Sequence, residues 1–244
     1  EVAPAADRLV ETTEVLPTYV PWSDGTGRVL LPGVHSTRRV LFDPGVGRTV
    51  GVRLALAEPL VVYSRPAAYE SHGPRIALTF DDGPNATYTP QMLEVLRQYG
   101  ARCTFFVVGG LIGKNRQLIE RIEAEGHEVG IHSWRHTDYT SLADGGVSAD
   151  LARCRAALDP LLTRPVRWVR PPYGAVNARV RAAINAAGYH VAMWSVDPRD
   201  WTTPGSSVIA NRVLSGARDG AVVVMHDGGG NRAGTVAAMR TVIP

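Results

Sequence analysis

The second part of the chain alternates between short apolar runs and longer stretches whose apolar residues recur at helical spacing. The runs RIALTF at 75–80 and AVVVM at 221–225 have the length and composition of buried strands. Residues 90–100 read as an amphipathic helix that ends at a glycine, with the residues Met92, Leu93, Val95, Leu96, Tyr99 and Gly100. Strands that alternate with helices in this way predict a parallel sheet flanked by helices.

Four more strands and five more helices complete this pattern. The strands are RCTFFVVG, HEVGIHS, VRWVR and YHVAMWSVD, and the helices are predicted at 117–125, 148–162, 178–187, 206–217 and 235–242. About six or seven strand–helix units favour a barrel over an open sheet. No apolar run approaches the roughly 20 residues that a membrane span needs, so we expect no spanning segment.

Residues 1–72 have a different pattern of apolar and polar positions. Short apolar pieces such as GRVLLPG, RRVLF and PLVVYSRP are separated by glycine, proline and polar residues. This pattern predicts short strands joined by turns. We therefore expect a small β-rich segment at 1–72, packed on a main domain at 73–244, with SHGP at 71–74 as the joint.

Composition narrows the function classes. The net charge is only +3, and the arginines are scattered along the sequence, so we expect no basic surface that would bind a nucleic acid. The start at Glu1, without methionine, predicts a processed or shortened chain. Cys103 and Cys154 have no CxxC partner, so we expect two buried thiols, with a disulfide as the alternative in an oxidising compartment.

Five short motifs follow one another in the main domain: TFDDGP, HSWRH, RPPYG, DPRDW and MHD. Their polar residues lie at or just past the carboxyl ends of predicted strands: Asp81, Asp82, His132, Arg170, Asp197 and His226. Loops from the carboxyl ends of parallel strands converge on one face, which is where α/β proteins carry their active sites. The motifs therefore predict a single site.

The residue types in these motifs indicate metal chemistry. His132 and His136 are four residues apart, a spacing that puts both imidazoles on one face of a helical turn. Asp81 and Asp82 point in different directions because they are consecutive, so one can bind a metal while the other stays free. Two histidines, one carboxylate and a spare carboxylate are what a catalytic zinc hydrolase needs.

Together and in this order, the five motifs resemble those of the polysaccharide deacetylase family, the NodB homology domain of carbohydrate esterase family 4. The resemblance covers residues 73–240. It implies a distorted (β/α)7-type barrel, here preceded by the β-rich segment. Members commonly continue past the MHD strand with a helix and a last strand, whereas this chain stops at Pro244. We therefore expect a barrel that is incompletely closed at that seam.

The resemblance also implies roles for individual residues. Asp82, His132 and His136 match the ligands of Zn²⁺, or of another divalent metal such as Co²⁺ or Mn²⁺. The other matched residues are Asp81 as general base, Arg170 as its orienting cation, His226 as general acid, Asp200 as the partner of that histidine, the Tyr173 amide as oxyanion donor and Trp201 as a wall of the substrate groove. Pro171 stiffens the loop that carries Tyr173, and Asp197 lies in the same motif as Asp200.

The implied activity is removal of N-acetyl groups from N-acetylglucosamine in a glycan polymer, with peptidoglycan as the first candidate and chitin as the second. We expect a secreted or cell-wall-associated monomer with no nucleic-acid partner. An acetylxylan esterase that uses the same residues is one alternative. A catalytically silent carbohydrate-binding module is the other.

Overall fold

The computed structural model describes residues 76–244 throughout, and before them the strand residues 10–17, 28–30, 35–43, 48–55 and 62–64. The chain divides into two compact units, Glu1–Tyr69 and Glu70–Pro244. The predicted joint at 71–74 lies outside the described residues, and the predicted boundary at 72 stays a prediction.

The described residues of the first unit form five short strands. They are β1 (Val10–Pro17), β2 (Arg28–Leu30), β3 (His35–Asp43), β4 (Arg48–Ala55) and β5 (Val62–Ser64). Strands β1, β3 and β4 form one antiparallel sheet in that order, and β2 pairs with β5 in a second antiparallel sheet. Strands of three to nine residues match the short strands that the sequence pattern predicts here.

The second unit is an α/β fold around a parallel sheet of six strands in the order β10-β9-β8-β7-β6-β11. The strands are β6 (Ile76–Gly83), β7 (Thr104–Val107), β8 (Glu128–Ile131), β9 (Trp168–Val169), β10 (His190–Val191) and β11 (Ala221–His226). The helices are α1 (Tyr88–Gln98), α2 (Gly109–Ile112), α3 (Arg116–Ala124), α4 (Gly146–Leu158), α5 (Ala178–Ala186), α6 (Ser206–Gly216) and α7 (Ala233–Val242). The predicted α/β barrel class is confirmed.

The sheet curls until its two ends meet at a single bridge. Val196, downstream of β10, pairs in parallel with Val223 of β11. The Val196 N–H donates to the Val222 carbonyl at 3.0 Å, and the Val196 carbonyl accepts from the Val224 N–H at 3.0 Å. The seam therefore lies between β10 and β11. The incomplete closure expected after the MHD strand is not found there, because β11 pairs with β6 over six residues. Strand β10 is shorter than the predicted strand YHVAMWSVD. After two residues paired with β9, the chain leaves β9 and crosses to β11.

Side chains from the sheet and one face of each helix fill the core. Phe80 of β6 stacks on Phe105 of β7 with ring centroids 5.3 Å apart, and both are fully buried. Helix α4 ends at Leu158 rather than at the predicted residue 162, because Pro160 cannot continue a helix. The sequence pattern missed α2, a single turn of four residues.

Cys103 and Cys154 are both buried free thiols, as expected, and they do not form the alternative disulfide. Cys103 lies beside the His127 ring, with Sγ 3.7 Å from Nδ1. Burial raises the pKa of both thiols, which keeps them protonated. Among the described residues, no helix has the length and apolar character that crossing a membrane requires.

Candidate metal and acid–base site

The two aspartates of the DDGP motif end strand β6 and separate at a bulge. The pairing of β6 with β7 shifts register between Asp81 and Gly83. Asp82 between them has φ +74°, a left-handed conformation that non-glycine residues seldom adopt. The irregular backbone leaves Asp81 facing Arg170 and turns the Asp82 carboxylate toward a pair of histidines.

Asp82, His132 and His136 form a group that could hold a metal ion, with one ligand atom from each and all three within 4.8 Å of one another. Asp82 Oδ1 lies 3.1 Å from His136 Nε2 and 3.5 Å from His132 Nε2. The oxygen is buried, yet it accepts no well-aligned hydrogen bond. A cation between the three atoms would satisfy it, so this donor set fits a divalent metal.

The charges around Asp82 favour its ionised form, as a metal ligand requires. Burial opposes ionisation of this carboxyl, but the contact with His136 and the charges of His132 and His226 outweigh it and lower the pKa to about 2. The carboxylate is therefore ionised at any pH at which the protein is expected to work. An ionised carboxylate is the form that binds a metal.

His132 is fixed in the tautomer that a metal ligand needs. Its Nδ1 lies 2.7 Å from the carbonyl oxygen of Arg170, which can only accept, so Nδ1 carries the proton. Nε2 then offers its lone pair toward Asp82. Burial lowers the pKa of His132, which favours this neutral form.

The conformation predicted for HSWRH was wrong, although its two histidines do converge. The segment is an irregular turn in which Ser133 has φ +61° and His136 has φ +57°, not a helical turn. The Trp134 N–H donates to Asp150 of α4 at 2.9 Å, which ties the loop to that helix. The imidazole rings meet with centroids 5.0 Å apart.

Arg170 holds Asp81 by a buried ion pair. The Nη1 of Arg170 donates to Asp81 Oδ1 at 2.7 Å and to Thr79 Oγ1 at 2.7 Å. The guanidinium lies over the ring of Phe106, with Cζ 4.1 Å from the centroid. Asp81 Oδ2 remains 3.9 Å from His132 Nε2 and faces the metal-ligand group. Arg170 thus fixes one oxygen of Asp81 and leaves the other available.

His226 lies on the neighbouring strand and is held by Asp200. Strand β11 pairs with β6 so that His226 is opposite Asp81. Asp200 Oδ1 lies 2.7 Å from His226 Nδ1, while Oδ2 accepts from the His226 N–H at 2.9 Å and the Thr235 hydroxyl at 2.8 Å. Burial disfavours protonation of His226, but this bond and the charges of Asp200, Asp81 and Asp82 overcome it and raise the pKa.

The residues expected to contact substrate lie at the rim of this site. Tyr173 is 70% exposed and has φ +61°, and its ring forms a T-shaped contact with the His136 ring, with centroids 4.6 Å apart. Trp201 is 48% exposed, and Pro171 precedes the short turn Pro172–Gly174. Asp197 instead accepts from the Arg199 N–H at 2.7 Å, a bond within its own loop. The roles of these residues stay predictions.

The motifs did not single out three polar residues that the fold brings to the site. Thr79 and Thr235 hold Arg170 and Asp200, and Asp227 is a third buried carboxyl. Burial raises the pKa of Asp227 to about 7, helped by the charges of Asp81 and Asp82 and opposed by a hydrogen bond from Thr89. Thr79 and Asp227 belong to the motifs TFDDGP and MHD, although the motifs suggested no role for them. Thr235 lies outside all five motifs.

The chain is similar to several known proteins. A peptidoglycan-N-acetylglucosamine deacetylase of Bacillus cereus is 40% identical over 69% of this chain and 80% of its own. A chitooligosaccharide deacetylase of Sinorhizobium fredii is 37% identical over 70% of this chain and 85% of its own. The structure of peptidoglycan deacetylase PdaC from Bacillus subtilis superimposes with a TM-score of 0.65, at 34% identity over 70% of this chain and 82% of that one.

The family described as Polysaccharide deacetylase matches residues 68–192. This range contains the DDGP turn, the HSWRH loop and the RPPYG loop, and hence the ligand group and the Arg170–Asp81 pair. The chain belongs to the polysaccharide deacetylase family.

Proposed function

We propose that this protein is a zinc-dependent hydrolase that removes N-acetyl groups from N-acetylglucosamine residues of a glycan polymer and releases acetate. Peptidoglycan is the first candidate polymer and chitin the second. The observation that carries the proposal is the placement of the Asp82–His132–His136 group between a carboxylate fixed by Arg170 and a histidine fixed by Asp200.

Asp82 Oδ1, His132 Nε2 and His136 Nε2 are the atoms that would hold the metal. One carboxylate and two imidazoles suit Zn²⁺, and they also accept Co²⁺ or Mn²⁺. When bound, such a cation activates water and polarises an acyl oxygen. The chain's own residues position the reactants and move the protons.

Asp81 is the proposed general base. Its Oδ1 is occupied by Arg170, so Oδ2 is the oxygen that accepts the proton of the attacking water. The buried guanidinium pairs with this carboxylate and sets its orientation. Arg170 is therefore a positioning residue for the base.

His226 is the proposed general acid. Its Nδ1 is engaged with Asp200, so Nε2 is the nitrogen that donates a proton to the departing amine. An amine leaves poorly without that proton, so a histidine with a raised pKa suits this step. Asp200 is fixed in turn by Thr235, which keeps the imidazole orientation constant through the reaction.

The exposed rim completes the proposal. The backbone N–H of Tyr173 is the proposed donor to the oxyanion, in a loop that Pro171 stiffens, and the Trp201 ring is the proposed wall of the sugar groove. The exposure of both aromatic side chains supports this assignment, because sugar rings pack on accessible aromatic faces. Peptidoglycan lies outside the cytoplasm, and we propose that the protein acts there as a monomer.

The first test is acetate release from peptidoglycan, chitin oligomers and acetylxylan in parallel. A chelator is expected to lower release from the N-acetylated glycans at least about 100-fold, and added Zn²⁺ should restore it. Metal content, measured by elemental analysis before and after chelation, should change with the activity. Release only from acetylxylan would identify an esterase, and no release from any polymer would favour a binding module.

Asp200→Asn is expected to shift the pH dependence of N-deacetylation. His226 is an acid whose pKa is raised in the folded protein, so activity is present below that pKa and falls as pH rises through it. Loss of the Asp200 charge lowers this pKa and moves the alkaline limb of kcat to lower pH. The measurement is kcat from pH 5 to 10, and an unmoved alkaline limb would contradict the acid role of His226.

A further inference from the structure

Asp227 immediately follows His226 and has no part in the proposed chemistry. Its side chain is fully buried at the end of β11. Its backbone N–H donates to the carbonyl oxygen of Asp81 at 3.0 Å, and one carboxyl oxygen accepts a hydrogen bond from the hydroxyl of Thr89 in the first turn of α1. Asp227 therefore reaches from the strand of His226 to both sides of the DDGP turn.

The DDGP turn packs directly on Asp227. A Cβ atom placed on Gly83 would lie 2.1 Å from Asp227 Oδ2 and 2.4 Å from Oδ1. A Cβ on Gly228 would likewise lie 2.0 Å from the carbonyl oxygen of Asp82. The DDGP turn and the segment after β11 are therefore in direct contact, and each has a glycine at the point of contact. The carboxyl of Asp227 packs against the backbone of Gly83, next to Asp82.

Thr89 extends this contact to the far end of the turn. Its Oγ1 accepts from the backbone N–H of Asn85 at 2.8 Å while its hydroxyl proton goes to Asp227. The turn is thus held at Asp81 by the Asp227 backbone and at Asn85 through Thr89. Asp82 lies between these points with φ +74°, a conformation that persists only where the surroundings impose it.

The second carboxyl oxygen of Asp227 has no hydrogen-bond partner among the described residues. A buried polar atom without a partner costs stability. A contribution to the stability of the fold therefore does not by itself explain an aspartate at this position. Its contacts instead concentrate on the segment that carries the base and one metal ligand.

We propose that Asp227 is a positioning residue that holds Asp82 in the orientation that binds the metal, an inference that rests on the proposed metal site. It acts through the backbone of the DDGP turn and touches no reacting atom. Substitutions that remove this support should weaken metal binding and lower kcat while leaving KM nearly unchanged, since the rim residues that would meet the glycan are elsewhere.

The test compares Asp227→Ala, Asp227→Asn and Thr89→Val with wild type, with Thr104→Val as the control. Thr104 is a buried threonine of β7 outside the site, so its substitution by valine measures the cost of losing a buried hydroxyl in general. Zn²⁺ affinity of each full-length apoprotein is measured by competition with a chromophoric chelator. Thermal unfolding of the same samples without metal reports stability.

Asp227→Ala is expected to weaken Zn²⁺ binding and lower kcat by about 10- to 100-fold each, the range seen when a support of a metal ligand is removed. Asp227→Asn keeps the shape and an oxygen that accepts from Thr89, so it should stay within about threefold of wild type. Thr89→Val should weaken Zn²⁺ binding by at least about threefold, and the Thr104→Val control should not.

Wild-type Zn²⁺ affinity and kcat in folded Asp227→Ala protein would overturn the inference, as would a loss of thermal stability with no change in Zn²⁺ affinity. If the alanine variant does not fold, Thr89→Val decides alone, and wild-type Zn²⁺ affinity in it would equally overturn the inference. Failure of the proposed function is distinct from this result, because it would show as the absence of Zn²⁺ binding or zinc-dependent deacetylation in the wild-type protein.

Discussion

Asp81→Asn is expected to lower kcat for N-deacetylation by about 10³-fold, within the range for loss of a general base, and to leave Zn²⁺ bound. The amide has the shape of the carboxylate but cannot accept the proton of the attacking water. The ligand atoms on Asp82, His132 and His136 are unchanged. The measurement is kcat at saturating Zn²⁺, together with Zn²⁺ content of the purified variant.

Asp144→Asn is the matched control for this substitution. Asp144 lies on the surface, and its carboxylate is 3.9 Å from the nearest guanidinium nitrogen of Arg179, so its variant should behave as wild type. Near-full activity of Asp81→Asn at saturating Zn²⁺ would contradict the base role. Loss of Zn²⁺ from that variant would instead indicate that Asp81 contributes to the ligand group.

His226→Ala is the second substitution with a large expected effect, and that effect should depend on the bond being broken. For an N-acetyl substrate, kcat should fall by about 10²- to 10⁴-fold, because the amine leaves only after it accepts a proton. For an O-acetyl ester the fall should be much smaller, because an alkoxide leaves more readily. Parallel assays on a chitin oligomer and an acetylated xylan give the two values.

His190→Ala provides the comparison for His226→Ala. His190 is an exposed histidine of β10 that contacts Trp168, and its loss should change neither activity by more than about twofold. Equal losses on amide and ester in His226→Ala would mean that this histidine does more than protonate the leaving group. Unchanged amide activity would remove it from the acid role.

The convergence of the site could be predicted because parallel strands end on one face. Asp81, Arg170 and His226 are far apart in sequence, yet each follows an apolar run of strand length, and that was sufficient to bring them together. The helices followed from their apolar spacing in the same way. Their ends were less accurate where a local residue such as Pro160 decided them.

The conformation of the loops could not be predicted from the same signals. The spacing of His132 and His136 fits a helix, but the backbone instead adopts left-handed conformations at Ser133 and His136. Those conformations depend on partners such as Asp150, which lies on a helix further along the chain. Spacing within a motif cannot show a hydrogen bond to a residue outside it.

Supporting residues were the other part that the sequence left open. Thr235 contacts Asp200 from the first turn of α7, and Thr89 contacts Asp227 from the first turn of α1. A threonine is unremarkable in a sequence because its hydroxyl serves many local hydrogen bonds. Only the folded arrangement shows which threonines hold a charged side chain of the site.

The pairing of His226 with Asp81 has a consequence for when activity appears. Strand β11 is the last strand of the described chain; it carries His226 and is followed directly by Asp227, whereas all three proposed metal ligands precede it by many residues. A chain synthesised only as far as α6 would contain the ligands and the base but no proton donor. On the proposed roles, such a chain would cleave no amide, and without Asp227 it would also hold the metal more weakly, so activity appears only after β11 has joined β6.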